Sequence, residues 1–232
     1  MKVLCVGDSM GMPRKGVLYE DTWYYRIQER YPQIRFIDKF RRNLTSKDIY
    51  KNDDYSANYV PDIVVLQCGI CDCAPRIINE KNVFWRGMIF LCDQMRIKNQ
   101  FWHVVKFLFK RNKRTRVWVP LSDFKNYVSD YVNNLINNCN IQRVIIIGIC
   151  TPSVELQSKS QYLMSNINKY NSVYKELSYN NSKHIVYINP LCNADESLYV
   201  DGYHANKLGH NHVLEALDKE LKSIIDHYSC SE

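Results

Sequence analysis

At 232 residues, 46% hydrophobic and 12% aromatic, with only 8 Gly and 7 Pro, the chain excludes a disordered, fibrous or linker-rich protein and suits one domain, or one domain with an insertion. The apolar run near the N-terminus is too short for a secretory signal, no stretch is long enough to span a bilayer, and the 9 Cys are odd in number with Cys5 and Cys150 in or beside apolar strand patterns, so a reduced, cytoplasmic protein is expected. The formal charge of +7 is concentrated in residues 81–116, which hold ten Lys or Arg against one acid, Asp93, and leave the rest of the chain close to neutral.

Lys2 to Val6 is predicted to be a buried strand that runs into the turn Gly7-Asp8-Ser9. After a loop at 11–16, placed to border a pocket, Trp23, Tyr24 and Ile27 recur at helical spacing in a first helix from Asp21 to Arg30. A second strand, Ile34 to Ile37, leads into the polar loop Arg41 to Asp48, where Thr45 or Ser46 caps a short helix. Pro61 to Gln67 is a third strand whose apolar residues run on as they do when both faces of a sheet are covered. It opens into the loop Cys68 to Arg76.

Residues 77–116 break this rhythm. Phe84, Trp85, Met88, Ile89, Leu91 and Met95 form one amphipathic run, and Phe101, Trp102, Val104, Val105, Phe107, Leu108 and Phe109 form another, flanked by Lys and Arg. They read as a helical pair inserted after the third strand, with an aromatic face packed on the body of the protein, on a neighbouring subunit or on a membrane surface. Alternation then resumes: a helix from Leu121 to Asn138, a strand from Arg143 to Ile149, a helix from Tyr162 to Leu177, a strand from His184 to Asn189 and a last helix from Asn206 to His227. Five strands alternating with helices predict an α/β fold with a parallel sheet, helices on both faces and the ligand at the carboxyl ends of the strands. Ser9, Asn43, Gly69 and His204 all fall in loops on that edge.

A serine hydroxyl is a poor nucleophile until an imidazole takes its proton, and a carboxylate fixes the tautomer of that imidazole. Ser9 and the block Asp201-Gly202-Tyr203-His204 supply these groups, and the spacing of the block lets a turn bring Asp201 against His204. Taken singly, the first motif also fits an ordinary strand-to-loop turn and the second a helix cap. Together with Gly69-Ile70-Cys71-Asp72 after the third strand, they resemble the SGNH/GDSL hydrolase superfamily over nearly the whole chain. That resemblance implies a flavodoxin-like three-layer α/β/α sandwich and a serine esterase, lipase, acetyl-hydrolase or glycan acyltransferase, without a cofactor. It makes Ser9 the nucleophile, His204 the general base and then acid, and Asp201 the group that orients His204. Asp8 is expected to hold the turn.

The oxyanion hole departs from the family pattern of a nucleophile amide, a glycine amide in the second block and an asparagine side chain in the third. The second block, Asn43 to Asp48, has no glycine, which leaves a backbone amide of Ser46 or Lys47 to serve. Cys71 stands where the asparagine is expected, and a thiol is a weak donor. Asn43 and Arg76 are candidates to replace it, with Arg76 also placed to bind an anionic or sugar part of the substrate. Cys68-x-x-Cys71-x-Cys73 has no second short-spaced Cys or His pair to complete four ligands, so Cys68 and Cys73 are read as packed thiols and no metal is expected. His103, His184, His210, His212 and His227 are assigned surface or packing roles.

For the basic aromatic segment 96–116, the simplest reading is a solvated helix with an aromatic core face. A peripheral membrane contact and a lid or subunit contact compete with it; no nucleic-acid module surrounds it and no nucleic-acid partner is expected. The expected activity is hydrolysis of a small acyl ester, most simply acetyl, on a small molecule or a glycan. Acyl transfer to a glycan hydroxyl by the same three residues, and a non-catalytic binding protein on the same scaffold, are the alternatives.

Overall fold

Val3 to Val6, Ile63 to Leu66 and Val144 to Ile147 are unbroken apolar runs rich in β-branched residues, and all are buried. In the computed structural model, which describes residues 1–76, 78, 82–109, 116–139 and 141–229, they form the interior of one parallel sheet. Its strands are β1 (Lys2–Gly7), β2 (Arg35–Phe40), β3 (Ile63–Gln67), β4 (Arg143–Ile147) and β5 (Ile185–Ile188), in the order β2-β1-β3-β4-β5. The polar residues Arg35, Asp38 and Lys39 occur in β2, at an edge, where one side of the ladder faces no neighbour.

The helices of the described residues are α1 (Trp23–Arg30), α2 (Ser46–Tyr50), α3 (Asp53–Asn58), α4 (Ile70–Cys73), α5 (Val83–Gln94), α6 (Lys98–Phe109), α7 (Leu121–Asn138), α8 (Val154–Lys159), α9 (Leu163–Asn180) and α10 (Lys207–Ser229). One group packs α1 against α10; the other packs α2, α3 and α9 around α7. The sheet lies between them, giving the expected α/β/α layering. Among the described residues Trp23, Phe124, Tyr131 and Tyr174 are the largest fully buried side chains, each of a size whose truncation to alanine costs about 3–5 kcal/mol.

Caps and side chains explain where elements start and stop. Thr45, one of the two expected caps, accepts the Asp48 N–H, while Asp48 Oδ2 accepts the Thr45 N–H at 3.0 Å, closing a reciprocal box at α2. The strand expected to reach Ile149 stops at Ile147. The buried Asn171 side chain takes over the Ile149 backbone there, accepting its N–H at 2.9 Å and donating to its carbonyl at 2.8 Å. The short helices α3, α4 and α8 were not anticipated, since four to six residues carry too little of a helical period to register.

The inserted segment does contain two helices, α5 and α6. Its base is closed by a two-residue antiparallel bridge: Arg76 N–H donates to the Arg116 carbonyl at 2.6 Å and Arg116 N–H returns the bond at 3.1 Å. Only part of the apolar surface turns inward. Cys92 and Val105 are buried and Trp85 is half-buried, whereas Val83, Phe84, Phe90, Leu91 and Met95 are exposed. Of the three expected covers for the aromatic face, the body of the protein therefore takes one side of α5 and leaves its outer apolar side exposed. The expected basic stretch 110–115 and Lys81 lie outside the described residues.

Candidate active site

At the carboxyl end of β1 the chain must pass very close to β3. A Cβ on Gly7 would lie 2.6 Å from the Gln67 carbonyl oxygen, so only glycine fits. The next residue, Asp8, donates its N–H to that carbonyl at 3.0 Å and accepts the Met10 N–H on Oδ1 at 2.9 Å, capping a single 3-10 turn at Ser9–Gly11. Burial pushes the Asp8 carboxyl up to about 7, with the Met10 bond working against it. Asp8 thus holds the turn that presents Ser9, the role expected for it.

Ser9 and His204 lie 195 residues apart in the chain, yet Ser9 Oγ is 3.0 Å from His204 Nε2. On the other side of the ring, His204 Nδ1 lies 2.8 Å from Asp201 Oδ2 and 3.0 Å from Oδ1, and Oδ1 also accepts the His204 backbone N–H at 3.0 Å. The three-residue spacing works as expected: one carboxylate holds both the backbone and the ring of its histidine. The Tyr203 ring covers the imidazole, with centroids 4.0 Å apart. Burial pushes the His204 pKa down to about 4; the bond to Asp201 opposes this and the Arg14 charge adds to it. At neutral pH the ring is uncharged and able to take a proton from Ser9.

Sequence reasoning missed Arg14. It follows the Ser9 turn in the loop read only as a pocket border, and its Nη1 donates to Asp201 Oδ2 at 3.0 Å while Nη2 donates to the Ser9 carbonyl at 3.1 Å. One guanidinium therefore ties the acid to the nucleophile turn. Burial works to raise the Asp201 pKa, but the His204 bonds and the charges of His204 and Arg14 outweigh it and keep the carboxylate ionised. Arg14→Ala is expected to lower kcat/KM on the order of 10–10²-fold, the cost of slight misplacement. The acidic limb of its pH profile should also move up, because a cation that lowers the His204 pKa is gone. An unshifted limb would reduce Arg14 to a packing residue.

Beside Ser9 lies a cavity of about 380 Å³, bordered by Asn43, Cys71, Arg76 and Tyr203 and closed on its apolar side by Leu156 and Leu163. Asn43 has φ +59°, the left-handed region that glycine adopts freely and asparagine tolerates best among other residues. Arg76 lies at the base of the insertion with its guanidinium 4.1 Å over the Trp118 ring. Three expected contributors lie elsewhere. The Ser46 N–H and hydroxyl both donate to the buried Asp72 Oδ1, at 2.9 and 2.6 Å, so that amide is already used. Lys47 is exposed on α2, outside the cavity wall. Gly69, at φ +117°, starts α4 where a Cβ would meet Ile149 at 2.7 Å, a backbone role. Cys68 and Cys73 are packed thiols whose pKa burial raises well above 9.

No protein-family profile matches the chain, and no curated protein matches it in sequence. Its three-dimensional likeness is clear. The psychrotrophic esterase EstA from Pseudoalteromonas sp. is 14% identical with a TM-score of 0.62, covering 97% of this chain and 98% of its own. The acetyl xylan esterase AlAXEase is 18% identical at 0.63, over 95% and 99%. A protein assigned to the G-D-S-L lipolytic family from Desulfitobacterium hafniense is 19% identical at 0.59, over 94% and 98%. The chain has the SGNH/GDSL hydrolase fold. The SGNH arrangement explains why residues far apart in sequence meet: the ends of β1, β2 and β3 and the loop before α10 share one edge of the sheet.

His210, given only a surface or packing role by the sequence, has a defined partner. It is buried, and its Nδ1 accepts the Trp23 N–H at 3.3 Å, capping α1 from α10. Burial pushes its pKa down to about 4 from 6.5. Between pH 5 and 6.5 the unfolded chain protonates both His210 and His204 while the folded chain does not; Asp8, raised to about 7, acts in the opposite sense. The unfolded state therefore binds one more proton, and stability should fall with pH in that window by at most about 1.4 kcal/mol per unit. His210→Asn keeps an acceptor and removes one titrating group, so its Tm should be nearly flat from pH 6.5 to 5. An equally steep loss in the variant would reject this assignment.

Proposed function

We propose that the chain is a serine esterase that removes a small acyl group, acetyl in the simplest case, from a carbohydrate. The observation that carries this is the continuous contact from Asp201 through His204 to Ser9, at 2.8 and 3.0 Å. Ser9 Oγ attacks the ester carbonyl carbon as His204 Nε2 takes its proton, and the tetrahedral intermediate collapses when His204 returns that proton to the departing sugar oxygen. Water then attacks the acyl-Ser9 carbonyl with His204 again as base, releasing the carboxylic acid and restoring Ser9.

The negative charge formed at each attack needs donors. Among the described residues no acceptor engages the amides of Ser9 or Asn43, and Asn43 holds a left-handed backbone that glycine adopts freely. These two amides are our assignment for the oxyanion. With Cys71 where the family has asparagine, Arg76 is the charged donor on the cavity wall. We assign it to the sugar side of the substrate or to the oxyanion itself.

Support for an acetylated carbohydrate comes from the size of the cavity and from the likeness to an acetyl xylan esterase. The intact three-residue geometry favours an enzyme over a binding protein on the same scaffold. The test is labelling of the wild-type protein with a fluorophosphonate, followed by a panel of acetylated sugars with product analysis. Labelling and release of acetate are expected; a protein that neither labels nor hydrolyses p-nitrophenyl acetate would reject the proposal.

A further inference from the structure

The outer face of α5 is the least explained surface of the molecule. Phe90, Val83, Leu91, Phe84 and Met95 fall within an arc of about 140° on a helix of 3.6 residues per turn, and they are 62%, 83%, 55%, 65% and 66% exposed. The opposite side of the same helix carries Trp85 and the buried Cys92. A helix that is apolar on two sides is stable when both are covered, and here the protein covers one.

The charges around this face indicate what covers the other. Arg86 and Arg96 are exposed, and Asp93, the one acid of α5, is already paired with Lys98 at 3.0 Å. A second copy of the chain would bring two such surfaces together, with like charges opposed. An anionic surface would neutralise them.

The turn after α5 adds an independent observation. The helix ends in a six-to-one bond from Ile97 N–H to the Cys92 carbonyl at 2.9 Å, with Arg96 N–H donating to the Asp93 carbonyl at 3.0 Å. The first of these two donors in the chain, just past the helix cap, takes the left-handed conformation, where glycine is usual. Here it is Arg96, at φ +57°. An L side chain is disfavoured in that conformation, so an arginine in this place is best explained by its charge.

We infer that α5 is a peripheral docking face for an anionic lipid bilayer, lying flat with Phe84, Phe90, Leu91 and Met95 in the interface and Arg86 and Arg96 against the head groups. Among the described residues no helix is long and apolar enough to cross a membrane, which agrees with a contact parallel to the surface.

Co-sedimentation of the full chain with phosphatidylcholine vesicles, and with vesicles containing phosphatidylglycerol, tests this inference. Binding is expected to the anionic vesicles only and to weaken as salt is raised. Phe90→Gln with Leu91→Gln should bind at least about tenfold more weakly. Arg96→Gly should bind about fivefold more weakly while its Tm stays level or rises, a split that unfolding cannot produce. Absence of vesicle binding, equal binding to neutral vesicles, or full binding by both variants would overturn the inference. So would a wild-type dimer in solution that the Phe90/Leu91 variant dissolves, because a second copy would then be the cover.

Discussion

Ser9→Ala is expected to lower kcat on the order of 10⁵–10⁶-fold, the loss seen when one member of a triad acting as a unit is removed. It should also abolish fluorophosphonate labelling. The reason is local: among the described residues the Ser9 hydroxyl is the hydrogen-bond partner of His204 Nε2, at 3.0 Å, and without it the imidazole has no nucleophile to activate. Asp8 and Gly7 hold the turn through backbone contacts that the substitution leaves intact, so the variant should keep the wild-type Tm. The result that would sink the assignment is a Ser9→Ala protein that still labels, with labelling lost instead in Cys71→Ala. That outcome would move the nucleophile to the thiol on the same cavity wall.

The second large effect is expected for Asp201→Asn, at roughly 10³–10⁴-fold in kcat. Asp201 Oδ1 accepts the His204 backbone N–H, so an asparagine keeps that bond by placing its carbonyl oxygen there and its NH₂ toward the ring. Facing a donor, Nδ1 must become an acceptor, and the ring proton moves to Nε2. His204 then points a proton at Ser9 Oγ and cannot take one from it. Arg14 loses its carboxylate partner in the same variant, and loss of that ion pair adds to the effect. Wild-type kcat with the chain folded would mean that Asp201 merely caps the loop before α10.

The strands and the three residues of the site are legible in the sequence for the same reason. β1, β3 and β4 are central and covered on both faces, and each is a continuous apolar run; the residues expected at the carboxyl ends of parallel strands must then share one edge. Asp201 and His204 are close in sequence, so their contact is a local matter that spacing alone can anticipate. The oxyanion candidates were harder. Asn43 and Arg76 do border the cavity, but Ser46 does not, because Asp72, 26 residues away, accepts its N–H and hydroxyl. A backbone amide carries no mark in the sequence of whether another side chain has already engaged it.

By itself, then, the sequence determined the α/β class and the positions of the five strands through periodicity and the contact of Asp201 with His204 through short spacing, while the grouping of Ser9 with them followed from the shared sheet edge and from what the family resemblance implies. Only the tertiary structure decided the roles of Arg14, 187 residues from its partner Asp201, and of His210, 187 residues from the amide it caps. It also decided that one of the two apolar sides of α5 faces outward. Period and composition say that a side chain is apolar or charged. Which surface or partner it meets depends on contacts between elements distant in the chain, and those exist only once the sheet and its two helical layers have come together.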